Sequence, residues 1–292
     1  MHLQLYDPRR GDLSLRLTPC QAPDALAVPQ RTNYFTVFWI RRGHGMFCAE
    51  SGQYPFAANS LLFLVPYQSF RFLTESAELE GLCLQFHANF LCIETHHEEV
   101  GCNGVLFNDT YGQPAVLLEE NHARELAALF DEMGRELREA GLAHSEVLLS
   151  YLRIFLVRAT RLKLQQQDLT SSPAGRIPPM LADLKRLIEE QFRVRHAPAD
   201  YASLLHISPK ALARLVKTHL NKTLTELIRE RVMRQAKWEL LHTRKPVKEV
   251  AAELGFDDLF YFSRLFKRAT GCSPTFFREF ETAIRGGSNL SM

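Results

Sequence analysis

The sequence predicts a two-domain α+β chain, an N-terminal antiparallel β-barrel with trailing helices followed by an all-α domain. Three observations predict it. The 292 residues exceed what one hydrophobic core usually organises. The hydrophobic pattern changes from short β-rich runs to helical spacing after about residue 120. Charge is also divided: residues 1–175 hold 14 Lys and Arg against 20 Asp and Glu, net −6, whereas residues 176–292 hold 21 against 13, net +8. A weakly acidic half joined to a basic one is expected when one domain approaches a polyanion. With 46% hydrophobic and 23% charged residues, the composition excludes a disordered chain, a collagen-like chain and a simple coiled coil.

The first third reads as short strands broken by turns. Tyr34–Ile40 is aromatic and β-branched, Gly43-His44-Gly45 turns the chain, and Met46–Ala49 follows. A turn at Ser51–Gln53 precedes an apolar run at Leu61–Val65, closed by Pro66, with further strands at Phe70–Leu73 and Leu82–Phe86. Such spacing suggests a sandwich or barrel. Leu126, Leu129, Phe130, Met133 and Leu137 then fall at helical spacing, as do Val147, Leu148, Tyr151, Leu152, Phe155, Leu156, Ala159 and Leu162. The second set is a wide stripe that fits a dimer contact or packing on its own barrel. Gln165–Gly175 is polar, contains Pro and Gly, and reads as a linker.

No run approaches the ~20 apolar residues that a bilayer requires, so no membrane association is expected. No basic region followed by an apolar one opens the chain, so no secretory signal is expected. Six scattered cysteines, at 20, 48, 83, 92, 102 and 272, form no CxxC or CxxH pair and read as reduced, cytoplasmic residues.

The basic half carries one plan twice. Ala199–Leu205 is a short helix pattern; Ser208-Pro209 then supplies a capping hydroxyl and a first-turn proline. The helix they open, Lys210–Leu220, turns Leu212, Leu215 and Val216 inward and Lys210, Ala211, Arg214, Lys217 and Thr218 outward. About fifty residues on, Val247–Leu254 ends at Gly255, and Asp257 or Asp258 caps Leu259–Ala269. Phe262, Leu265 and Phe266 form the inner stripe of that helix, and Tyr261, Ser263, Arg264, Lys267 and Arg268 are available outside. Each pair is a helix-turn-helix plan. Between them Leu224–Leu241, 18 residues, makes one helix of ~27 Å, close to the ~34 Å between successive major grooves.

Residues 178–285 resemble the DNA-binding domain of the AraC/XylS family of bacterial transcription regulators. The resemblance rests on Ala251-Ala252, Leu254-Gly255-Phe256, Asp258, Tyr261–Arg264, Phe266-Lys267, Gly271, Ser273-Pro274 and Arg278. The N-terminal half resembles the cupin-like sensor domain of the family through Arg42-Gly43 and Gly45, the Leu61–Pro66 strand and the trailing helices. The implied organisation is a cupin-like sensor and dimerisation domain over 1–165, a linker over 166–177, a double helix-turn-helix domain over 178–285 and a tail over 286–292.

The resemblance implies that Lys210, Ala213 and Arg214 look into a major groove from the first unit, and Leu259, Phe260, Tyr261, Ser263 and Arg264 from the second. Arginine binds guanine O6 and N7 bidentately, so Arg214 and Arg264 are the base readers expected, while Lys217 and Lys267 touch phosphates. Ala213 replaces a polar reader common in relatives. Phe260 stands where a small polar residue is usual, and faces either DNA or the core. The resemblance further places Arg42, Phe72 and Cys83 at effector-contacting positions. An arginine beside an apolar cavity suits a carboxylate, phosphate or polyhydroxyl effector.

No nucleophile elbow, phosphate loop or dinucleotide fingerprint appears, and no enzyme activity or cofactor is expected. His44 has no HxH partner, and His96-His97-Glu98-Glu99 reads as a solvated loop rather than a metal site. The expected function is sequence-specific regulation of transcription, as an activator bound to promoter DNA. A small molecule would control it, RNA polymerase would be a partner, and a homodimer would form through the helix at 146–164. The alternatives are a regulator of the same fold with no effector, controlled by dimerisation or a protein, and a cupin enzyme with an accessory DNA-binding module.

Overall fold

A computed structural model describes residues 3–7, 11–20, 26–74, 78–88, 90–91, 105–108, 111–170 and 178–285. The chain divides into two compact units, one made of Met1–Asp109 and Gln113–Ser172, the other chiefly of Pro173–Met292. The first is an antiparallel sheet unit with helices, the second helical, so the chain is α+β. Among the described residues no helix is long and apolar enough to cross a membrane.

Among the described residues nine strands run β1 Leu3–Tyr6, β2 Leu13–Cys20, β3 Phe35–Arg42, β4 Gly45–Ala49, β5 Gly52–Phe56, β6 Ser60–Leu64, β7 Phe70–Thr74, β8 Glu80–Phe86 and β9 Ala115–Leu117. They form a six-stranded sheet of order β1-β2-β8-β3-β6-β9 and a three-stranded sheet of order β5-β4-β7. These pairings make two sheets and do not by themselves close a barrel. The apolar runs of β3 and β6 follow from burial on both faces, because successive side chains point to opposite sides. Phe35, Val37, Trp39, Leu61 and Phe63 enter one core, with the helices; Phe38, Ile40, Leu62 and Leu64 enter the other, with Phe47, Phe56 and Phe72 of the small sheet.

Four strands lie outside the sequence expectation. β1 and β9 have four and three residues, too short to show a period. β2 does alternate, with Leu15 and Leu17 buried, and that signal was open to detection. β5 begins at Gly52, inside the expected turn.

Helices of the first unit are α1 Val105–Asn108, α2 Glu120–Glu139 and α3 His144–Thr170. Leu148, Leu152, Phe155, Leu156, Ala159 and Leu162 of α3 pack into the core of their own unit, while Ile154 and Leu164 stay exposed. α3 runs on through residues 166–170, the start of the stretch expected to be linker; residues 171–177 lie outside the described residues. The extension is physically reasonable: Gln and Leu are good helix formers. The Gln166 side-chain amide also bonds both the N–H and the C=O of Leu117, as a neighbouring strand would. One turn earlier the buried Lys163 donates to the carbonyls of Gln113 and Ala115. The open edge of β9 is thus closed by α3 side chains.

In the second unit α4 Pro179–Gln191, α5 Pro198–Leu204, α6 Pro209–Leu220, α7 Leu224–His242, α8 Val247–Glu253, α9 Leu259–Thr270 and α10 Pro274–Arg285 follow in order.

Replacing Lys163 removes the ammonium donor from two backbone carbonyls, those of Gln113 and Ala115. Lys163→Met is expected to destabilise the first unit by about 2–3 kcal/mol. Urea unfolding followed by Trp39 fluorescence, in a Trp238→Phe background, measures it; an unchanged midpoint would show that Lys163 contributes nothing at β9.

Candidate nucleic-acid interface

Both two-helix units are built on the same turn. Leu205 caps the end of α5, the next residue His206 takes φ 55°, and the N–H groups of His206 and Ile207 bond back to the carbonyls of Ser203 and Ala202. Leu254 caps the end of α8, Gly255 takes φ 79°, and Gly255 and Phe256 bond back to Ala252 and Ala251 in the same pattern. This left-handed ending satisfies carbonyls that a helix terminus otherwise leaves open. Glycine is required in the second turn: a Cβ on Gly255 would stand 2.3 Å from the Arg193 carbonyl oxygen.

A cap then opens each outer helix. The Ser208 hydroxyl accepts from the Ala211 N–H at 3.2 Å, and the Asp258 carboxylate accepts from the Phe260 N–H at 2.7 Å. Of the two aspartates considered for that cap, Asp258 fills it. Leu212, Val216 and Leu220 of α6, and Phe262, Phe266 and Thr270 of α9, are buried.

Counting from the caps aligns the outer faces. Arg214 and Arg264 are both the sixth residue after the cap, and Lys217 and Lys267 both the ninth. All four are exposed, as are Lys210 and Ala213. Ser263, at the Ala213 position, is half-buried. Phe260 is 76% exposed and Tyr261 50%, so Phe260 is not a core residue. Tyr261 shares its ring between Phe256, 6.1 Å away, and an open cleft of about 450 Å³ that Arg229 and Asp258 also line.

α7 carries the two units, and both its ends are fastened. At the start, Thr223 and Glu226 form a reciprocal capping box, and Lys222 pairs with Glu230 at 2.7 Å. Near the end, the buried Glu239 accepts from Arg193 and Gln235, each at 3.1 Å, while Lys245 pairs with Glu253 of α8 at 2.7 Å. Arg278 of α10 donates from Nε to the Leu240 carbonyl at 3.0 Å and from Nη2 to the Lys245 carbonyl at 2.7 Å. Sequence reading placed Arg278 in a motif without a role and did not single out Glu239.

In the first unit Phe72 and Cys83 meet in the core between the sheets, while Arg42 stands apart at the end of β3. Its side chain is 72% exposed and pairs with Glu80 at 3.4 Å. A cation that sequence reading missed, Arg16, lies on the strand face shared with Cys20. Its Nε donates to Gln85 Oε1 at 2.9 Å, and Gln85 Nε2 donates to Thr36 Oγ1 at 3.2 Å. Burial pushes the Cys83 thiol up to about 12 and the Cys20 thiol up to about 11, so both stay protonated near neutral pH. Among the described residues no group of three or more His, Cys, Asp or Glu converges as a metal site; His96–Glu99, Cys92 and Cys102 lie outside them.

These features define a class: a DNA-binding module made of two helix-turn-helix units on one connecting helix. A family model described as a helix-turn-helix domain matches residues 201–279. The HTH-type transcriptional regulator YfiF of Bacillus subtilis, itself uncharacterised, is 26% identical over 254 residues, 84% of this chain and 77% of that one. The arabinose operon regulatory protein of Escherichia coli is 39% identical over 80 residues, 27% of each chain. The HTH-type transcriptional activator RhaR of Cronobacter sakazakii is 29% identical over 107 residues, 37% of this chain and 36% of that one. Residues 201–279 therefore form a helix-turn-helix domain of the AraC type, and over that domain the chain is similar to DNA-binding transcriptional regulators.

The two turns differ in one respect that stability measurements can read. His206 holds a left-handed conformation that costs a side-chain-bearing residue about 1 kcal/mol, and Gly255 does not. His206→Gly is expected to raise stability by up to about 1 kcal/mol, and Gly255→Ala to lower it by about 2 kcal/mol or more, because strain and a backbone clash add. Chemical denaturation checks both; equal effects at the two sites would contradict the assignment.

Proposed function

We propose that this chain is a sequence-specific activator, a cytoplasmic protein whose second unit lays α6 and α9 in successive major grooves of promoter DNA. The observation that supports it best is the repeated geometry, Arg214 and Lys217 matched by Arg264 and Lys267 at equal distances from two filled caps. Arg214 and Arg264 read bases, with Lys210, Ala213, Tyr261 and Ser263 beside them; Lys217 and Lys267 hold phosphates. The exposed Phe260 supplies an apolar edge to a thymine methyl, which supports some readout through contact and DNA shape.

The first unit, cupin-like in this reading, binds a small effector on the face of Phe72 and Cys83, with Arg42 at the strand end, and pairs with a second copy through residues 146–164 of α3. Exposed Ile154 and Leu164 supply apolar surface for that pairing. RNA polymerase is the partner of the activating form. The effector acts only if it favours one of two arrangements of the protein. A second reading, regulation without an effector, is favoured by the packing of fully buried Phe72 against Phe38, Phe47 and Phe56, with ring centroids 5.1, 5.1 and 5.5 Å away.

Selection of duplexes from a random pool by the full chain tests the first claim. Enrichment of two half-elements about one helical turn apart is expected; no enriched sequence, with or without cell-extract metabolites, would contradict it. On the selected duplex, Arg264→Ala is expected to cost about 1–3 kcal/mol at one base position and to relax selectivity there. Unchanged selectivity would remove Arg264 from the readout. Lys217→Ala is expected to weaken binding to all sequences and to lower the salt slope by about one. A loss confined to one base position would contradict a phosphate role.

A further inference from the structure

The two helix-turn-helix units share one connecting element, α7, whose 19 residues span ~28 Å. A helix of that length resists bending, so the distance and angle between α6 and α9 are lost or kept at its two ends. The front end has a continuous fastening: Thr223 and Glu226 cap it reciprocally, and Lys222 pairs with Glu230 across it. The rear end has a harder task. Between His242 and Val247 the chain leaves one helix and opens another through Thr243, Arg244, Lys245 and Pro246, and this joint carries the whole second unit.

Carbonyls in the last turn of a helix have no helical donor. At this joint the Thr243 N–H reaches the Glu239 carbonyl at 3.0 Å, and the Leu240 carbonyl is taken by the Arg278 guanidinium instead. The same guanidinium also holds the Lys245 carbonyl, five residues further along the chain. One rigid planar group therefore spans the joint. Its two donors are fixed relative to each other, so the two carbonyls are fixed as well. Arg278 is half-buried on α10, beside Phe277, which packs in the core against Phe266 of α9. The group that clamps the joint thus sits on a helix packed against the second recognition helix.

We infer that Arg278 is a positioning residue for DNA reading: it sets the separation and phase of α9 relative to α6, and thereby the interval between half-elements that the protein accepts. It does not touch DNA in this account. The inference rests on the two-element reading proposed above. One base pair added between half-elements moves the second by about 3.4 Å and turns it by about 34°. A rigid joint cannot follow that displacement, whereas a loosened one can. The apolar packing of Phe262, Phe266 and Phe277 remains in either case, so each unit keeps its own fold.

The test uses the full chain and the duplex it selects, with the interval unchanged, lengthened by one base pair or shortened by one. A duplex bearing a single half-element is the control. The wild-type chain is expected to prefer the selected interval by about tenfold or more. Arg278→Lys, which keeps charge and stem but lacks the fork, and Arg278→Met, which lacks both, are expected to reduce that preference to about threefold or less while changing single-element affinity less than about twofold. If Arg278→Met does not fold, Arg278→Lys carries the comparison. Variants that keep the interval preference would overturn the inference. So would variants that lose single-element affinity in the same proportion, since that is a general structural loss. A wild-type chain indifferent to the interval would instead overturn the two-element reading on which the inference rests.

Discussion

A single buried helix carries both helix-turn-helix units. α7 buries Leu224, Leu227, Ile228, Val232, Met233, Ala236 and Leu240, each of its larger aliphatic side chains worth about 1.5–3 kcal/mol of transfer out of water. Residues from both of its ends enter that burial, so neither helix-turn-helix unit keeps its core if α7 is lost. The polar fastenings add geometry more than energy. Glu239 is buried, and Arg193, Gln235 and Lys245 meet it there, so its side chain is compensated within the protein. Arg193 follows α4, Glu239 belongs to α7 and Lys245 precedes α8, and one carboxylate therefore registers three parts of the unit.

The sheet unit obeys a different constraint. Its central strands are buried on both faces, one against helices and one against the small sheet, and a polar group there is costly without a partner. Three polar residues that lie there, Arg16, Gln85 and Thr36, bond to one another across three adjacent strands. The exposed edge at β9 is answered by Lys163 and Gln166, which ties the end of α3 to the sheet. Side chains rather than a tenth strand close that edge, which keeps an open ladder from pairing with other chains.

Much of the second unit was legible because its signals are local. Ser208-Pro209 and Asp258 are caps whatever surrounds them, Gly255 marks a left-handed ending, and the inner stripes of α6 and α9 follow from helical spacing. His206 shows the limit of such signals: it takes the conformation of Gly255 with no glycine to announce it, because the two back-bonds of the turn impose it. What sequence reading missed is non-local. Arg278 acquires a meaning only when α10 folds back on the end of α7, and Arg16 only when β2 lies beside β8. Arg42 drew notice through a glycine-flanked motif, yet its strand end carries it into solvent against Glu80. The end of α3 was misjudged because a polar, glutamine-rich stretch looks like linker until Leu117 is seen to hold it.

The proposed function requires two equivalent helices to read one duplex, with equal offsets from cap to cation and one stiff element between them. Hydroxyl-radical footprinting of the full chain on its selected duplex tests that most directly. The account predicts two protected windows on one face of the DNA, centred about 10 base pairs apart and of similar strength. One window alone, or protection spread evenly around the helix, would contradict it.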